Sequence, residues 1–182
     1  KHRSLIKAFL DEADMSADAI KTVDFPPAYG ADIVVSCEKA KDPKNGSIYL
    51  KPTQFVLGIG CRRDTAFENI DRAIRQSLLK LQIDISDIDM IASIDVKKDE
   101  PGIKEFCERN RIDFVTYTAD ELMAVQGEFS ASQFVREHVG VDNVCERAAV
   151  LACSRECNKA GELIYKKHKY DRVTVAAAKY PD

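Results

Sequence analysis

Between Phe55 and Glu68 the chain reads FVLGIGCRRDTAFE, an apolar tract that runs directly into two glycines, a cysteine, two arginines and a helix start. This segment constrains the fold more than any other, because a strand passing into a helix opens a β–α unit, in which helices pack back on a sheet. Phe55, Val56, Leu57 and Ile59 suit a buried strand, while Gly58 and Gly60 let the backbone turn sharply and come close to something bulky. Thr65 and Glu68 make an S/T-x-x-E capping box, which predicts a helix start whose free N–H groups face the loop. Arg62 and Arg63 add two permanent charges whose forked donors match carboxylates or phosphates. The expected ligand is anionic. The spacing departs from G-x-G-x-x-G, since Arg63 stands where the third glycine would allow close helix packing, and this argues against a dinucleotide. Without any ligand, the glycines would relieve crowding in a strand-to-helix turn and the arginines would be solvated.

Downstream of this loop, strand and helix patterns alternate, which predicts an α/β fold: a mostly parallel sheet with helices packed on it. Phe67, Ile70, Ile74, Leu78 and Leu81 recur at spacings of three and four and form one apolar stripe. Met90 to Val96 is the next strand, Pro101 opens a helix through Ile103, Phe106 and Cys107, and Asp113 to Tyr117 is a third strand. Thr118 and Glu121 form another capping box. Helices are expected from Ser132 to Val139 and from Asn143 to Cys157. Glu162 to His168 and Arg172 to Tyr180 then read as a hairpin at the sheet edge, since the turn at Lys169 to Asp171 is too short for a parallel crossover. Upstream, Ser4 to Asp14 and Ser16 to Ile20 read as helices, Ile33 to Val35 and Ser47 to Pro52 as extended segments, and Asp42 to Gly46 as a turn. Residues 1–51 are therefore taken as the trailing part of a preceding region and 52–182 as the α/β domain.

The 182 residues are 45% apolar, enough for a real core, and the formal charge of -3 gives no global basic field, which argues against nucleic acid. No run approaches the roughly 18 apolar residues of a membrane span. A cytoplasmic protein is expected, with its six cysteines as reduced thiols. Cys153 and Cys157 are one helical turn apart and lack zinc-site spacing, so no metal site is expected.

Four segments carry a family resemblance: LGIGCRR at Leu57 to Arg63, SIDVKKDEPG at Ser93 to Gly102, SQFVREHVGVDNVCERAAVLA at Ser132 to Ala152, and KYDRVTVAAA at Lys169 to Ala178. In this order, over about residues 52 to 182, the chain resembles the C-terminal domain of the cobalamin-biosynthesis protein G (CbiG) family, cobalt-precorrin-5A hydrolase. The resemblance implies a place in anaerobic vitamin B12 synthesis: hydrolytic opening of a δ-lactone on cobalt-precorrin-5A and loss of acetaldehyde to give cobalt-precorrin-5B. It also implies no cofactor of the protein's own, because cobalt is carried by the substrate. The glycine-rich S-G-H-x-G-G-A-N stretch of the family's N-terminal domain is not in this sequence. If that domain holds catalytic groups, this chain binds without turnover, so a non-catalytic module that binds or passes on the corrinoid is the alternative. The remainder of a longer chain and a second copy in a homodimer are the expected protein partners.

A cobalt corrinoid intermediate is a flat macrocycle fringed with carboxylates, and Arg62 and Arg63 are suited to such a rim. Lys97 and Lys98 follow a strand end, at the same edge as the glycine loop if the two strands are parallel; otherwise they are an exposed charge pair. Gly140 to Glu146 is implied by the resemblance as a second ligand loop, with Asp142 or Asn143 at a helix N-cap. Candidate substrate-binding residues are thus Gly58, Gly60, Cys61, Arg62, Arg63, Lys97, Lys98, Gly140 and Asn143. For hydrolysis, Asp95, Glu100 and Glu146 are candidate bases, and Gly60, Cys61 and Arg62 candidate oxyanion donors. Cys61 is either a nucleophile whose pKa the helix N-terminus and arginines would lower, or a small residue filling a turn. His138, on an apolar helical face, is weighed as a cobalt ligand against a core or surface histidine.

Overall fold

Strand β3, Phe55–Cys61, forms where the apolar tract predicts it, and its buried residues feed both faces of one sheet. The structure is a computed structural model that describes residues 33–35, 48–50, 55–131, 140–157 and 159–180. The segments read as helices at Ser4 to Ile20 and Ser132 to Val139, the turn at Asp42 to Gly46, and His138 lie outside these residues.

The chain divides into two compact units, residues 1–53 and 54–182. In the first, β1 (Ile33–Val35) and β2 (Ile48–Leu50) pair in parallel. The second begins with β3 and continues through α1 (Phe67–Leu81), β4 (Ile88–Ile94), α2 (Pro101–Asn110), β5 (Asp113–Tyr117), α3 (Ala119–Ala124), α4 (Val144–Cys157), β6 (Glu162–Lys169) and β7 (Val173–Lys179). Its sheet has five strands in the order β5-β4-β3-β7-β6. β3, β4 and β5 are parallel, and β7 runs antiparallel between β3 and β6. The C-terminal hairpin thus occupies one end of the sheet, as its short turn requires.

Alternation along the strands divides the core into two layers. On one face Leu57, Ile59, Ile91, Val173, Val175 and Ala177 pack under Ile70, Ile74 and Leu78 of α1 and Ile103 and Phe106 of α2. On the other, Val56, Met90, Ala92 and Ala178 meet α3 and the alanine-rich α4. The helices of the first face end on left-handed residues, Gln82 at φ 56° and Arg111 at φ 55°, each sending its N–H back to the last turn.

The start of α1 differs from the expected capping box. Its N-cap is Ala66, without a side-chain cap bond, because Thr65 is committed elsewhere. The Thr65 hydroxyl donates to the Arg62 carbonyl at 2.7 Å, and its N–H donates to Glu100 Oε1 at 3.0 Å. The second capping box is present, with Thr118 and Glu121 each accepting from the other's backbone N–H. β4 ends at Ile94, two residues short of Val96, because Asp95–Lys97 form a 3₁₀ turn.

Candidate functional site

The parallel strands bring their carboxyl ends to one edge, so the loops after Cys61, Ile94 and Tyr117 emerge side by side. The hairpin turn joins them: the Arg62 N–H donates to the Arg172 carbonyl at 2.9 Å, and Arg172 Nη2 donates to the Arg63 carbonyl at 2.9 Å. The start of α4 reaches this edge too. Its far end, at Cys153, packs beside Gly161 at the opening of β6, while Glu146 in its first turn accepts the Lys167 N–H near the end of that strand. The Arg62–Thr65 loop, the Asp95–Glu100 loop and the Gly140–Glu146 segment therefore share one edge of the sheet.

Within this edge, Arg62 and Arg63 are exposed, and their guanidinium groups have no partner among the described residues. Lys98 is exposed in the same way. Lys97 is not: its Nζ stands 2.7 Å from Glu100 Oε2, with side chains 13% and 5% exposed. Glu100 consequently spends one oxygen on Lys97 and the other on the Thr65 N–H, clamping the arginine loop to the loop after β4. Gly102 completes the clamp, since a Cβ there would come within 2.3 Å of the Thr65 carbonyl oxygen. Asp95 is exposed, with Oδ1 accepting the Val96 N–H at 2.7 Å.

The glycines of β3 have a packing role rather than a turning one. Neither has a positive φ, and the strand runs through both. The bulky neighbour is α4: a Cβ on Gly58 would lie 1.7 Å from the Cys145 carbonyl oxygen. On Gly60 it would meet Thr174 Oγ1 at 2.7 Å, the hydroxyl that donates to the Gly60 carbonyl. Cys61 also departs from the expectation of a lowered pKa. Burial pushes its thiol up to about 11, outweighing the attraction of Lys97. The thiol therefore stays protonated near neutral pH.

The α4 segment is a polar lock. Asn143 is the N-cap: its Oδ1 accepts the Glu146 N–H at 2.9 Å, while its Nδ2 donates to the Ser130 carbonyl at 2.8 Å. Glu146, fully buried, accepts the Ser130 N–H and hydroxyl, each at 2.8 Å, and the Lys167 N–H at 2.6 Å. Gly140 sits at φ 75°, in the left-handed region that favours glycine. Beside it, Arg147 holds Asp142 with two nitrogens, donates to the Leu122 and Val125 carbonyls and covers the Phe129 ring. Sequence reasoning did not single out Ser130, Arg147, Lys167 or Arg172. Their signal is tertiary, because each acts on a loop distant in sequence.

An open groove of about 610 Å³ lies between α2 and β5, lined by Lys98, Lys104, Glu108, Arg111, Asp113 and Phe114 among others. It shares only Lys98 with the residues singled out from sequence, and its cations are mixed with carboxylates. A polyanion finds more uncompensated charge at the arginine loop.

Residues 55–178 match the model of the family described as Cobalamin synthesis G C-terminus. The chain is 38% identical over 102 residues to cobalt-precorrin-5A hydrolase of Salmonella typhimurium, covering 56% of this chain and 29% of that protein. It is 32% identical over 137 residues to a probable cobalt-precorrin-5A hydrolase of Methanocaldococcus jannaschii, covering 72% and 42%. The chain thus spans less than half the length of these curated relatives. Its fold is similar to the crystal structure of CobE, a protein from the cobalamin biosynthetic pathway, with TM-score 0.66 and 25% identity, over 71% of this chain and 92% of that one.

Proposed function

The chain belongs to the Cobalamin synthesis G C-terminus family, and from that premise we propose that it is the corrinoid-holding part of a cobalt-precorrin-5A hydrolase, in which residues 52–182 form the domain that grips the substrate and 1–51 the trailing part of a preceding region. The reaction is opening of the δ-lactone and release of acetaldehyde, giving cobalt-precorrin-5B. The observation that carries this reading is the exposed Arg62–Arg63 pair, unpartnered among the described residues and set where the parallel strands β3, β4 and β5 end. Two forked cations in that position suit the carboxylate fringe of a tetrapyrrole. Lys98 adds a third exposed charge, unpartnered among the described residues, while the Arg62 N–H considered as an oxyanion donor is already given to the Arg172 carbonyl. The protein works in the cytoplasm, on a substrate that brings its own cobalt.

A second reading has its own support: a binding or transfer module without catalysis. Of the three carboxylates considered as bases, Glu100 is held by Lys97 and Thr65, and Glu146 by Ser130 and Lys167. Asp95 alone is exposed. On this reading the exposed Asp95 takes no part in the reaction, and the water-activating group belongs to another part of the longer protein.

Titration of the chain with a stable cobalt corrinoid, followed by an acetaldehyde assay on the authentic substrate, separates the two. Binding with acetaldehyde release supports the hydrolase; binding without release, restored when the full-length protein is assayed, supports the module. A chain that binds no corrinoid overturns both. Light scattering on the same sample reads whether a homodimer is present.

A further inference from the structure

Arg172 occupies the turn between β6 and β7 at φ 60°, the left-handed region that costs an L-residue side chain strain and costs glycine none. A turn needing this conformation is filled most comfortably by glycine or asparagine, so an arginine there calls for a reason. The surroundings supply one. Its carbonyl accepts the Arg62 N–H, and its own Nη2 donates to the Arg63 carbonyl, which brings a third guanidinium against the backbone of the arginine pair. The side chain is exposed, and no carboxylate among the described residues pairs with it. Asp171, the adjacent acid, instead accepts from Asn69 Nδ2 at 3.1 Å.

We propose that the β6–β7 turn is a second wall of the anion site, and that Arg172 is a specificity-determining residue that takes a ligand carboxylate alongside Arg62 and Arg63. The proposal rests on the corrinoid reading above and adds a ligand requirement: carboxylates spaced along a rim, met from two loops at once. One Arg172 donor holds the loops together, and the remaining N–H groups of the fork are left for the ligand.

The test is calorimetric titration of the whole chain with cobyrinic acid, a cobalt corrinoid whose side chains end in free carboxylates, and with its methyl esters. Arg172→Gly removes the charge and suits the backbone. It is expected to leave the melting temperature close to wild type, because relief of the left-handed strain offsets the lost bond to the Arg63 carbonyl, and to weaken binding of the acid about tenfold or more. Arg172→Gln keeps a donor for the Arg63 carbonyl and should weaken the acid by a similar factor, which covers the case of a glycine variant that fails to fold. The esters should show no difference between wild type and either variant. Unchanged affinity for the acid in the Arg172 variants, with Arg62→Ala and Arg63→Ala still weakened, overturns this assignment and leaves the corrinoid reading standing. A wild-type chain that binds neither compound overturns both.

Discussion

A methyl group at Gly58 would stand 1.7 Å from the carbonyl oxygen of Cys145, which no rotamer can relieve because both partners are backbone. Gly58→Ala must lift α4 off the sheet, and a loss of about 1–3 kcal/mol or more in urea unfolding is expected. The arginines four and five residues further on should behave in the opposite way. Arg62→Ala and Arg63→Ala leave the urea midpoint within about 0.5 kcal/mol of wild type, because their side chains are exposed and bond to nothing described. Corrinoid affinity should instead fall by about 1.5–3 kcal/mol for each charge-assisted contact removed. A large stability loss in the arginine variants would show that they brace the loop rather than face a ligand. In this short stretch, packing selects the glycines and exposed charge marks the arginines.

At the scale of elements, the N-terminus of α4 shows how a buried carboxylate positions three segments at once. Glu146 accepts from the backbone and hydroxyl of Ser130 on one side and from the backbone of Lys167 in β6 on the other. Its burial is tolerable because every contact is a donor. Glu146→Gln keeps the volume but replaces one acceptor with an amide NH2, turning a donor toward groups that themselves donate. The expected result is a loss of about 1–3 kcal/mol, with faster hydrogen exchange at the Ser130 and Lys167 amides than elsewhere in the sheet. Unchanged exchange at those two amides would mean that Glu146 does not hold the loop. Alanine at 148, 149 and 152 serves the same end: small residues let the helix settle onto β3 and β7, and the first turn comes within reach of Ser130 and Lys167.

Across the molecule, buried thiols tie stability to alkaline pH. Burial raises Cys61 to about 11 and Cys107 and Cys145 to about 12, against an ordinary value of 9.0. The folded protein therefore keeps protons that the unfolded chain releases above about pH 9, so unfolding gains from every step in pH between 9 and the folded values. Stability is fully present below pH 9 and declines as pH climbs toward 11 and 12. Urea unfolding at pH 8 and pH 10 should show the decline, and Cys145→Ala should flatten it. A flat profile in the wild-type chain would contradict the burial of these groups.

Periodicity and local chemistry were sufficient for most of the architecture. The apolar stripe of α1, Pro101 opening α2, the Thr118–Glu121 box and the two-strand ending all follow from spacings within a few residues, and so did the exposure of Arg62 and Arg63 in a loop. The Thr65 capping box misled because a stronger partner, the carboxylate of Glu100 thirty-five residues away, takes the same N–H. The glycines of β3 were legible as a need for close approach, but their neighbour was not, since only the crossing of α4 over the sheet names it. Lys97 and Glu100 read as free charges until folding placed them 2.7 Å apart in a nearly dry site. Local sequence thus determined which segments become strands, helices and charged turns, because those choices depend on residues within one or two turns of each other. Tertiary structure alone decided which charges stay exposed and unpaired among the described residues and which are consumed inside the protein, because that depends on pairings between loops that only the sheet brings together.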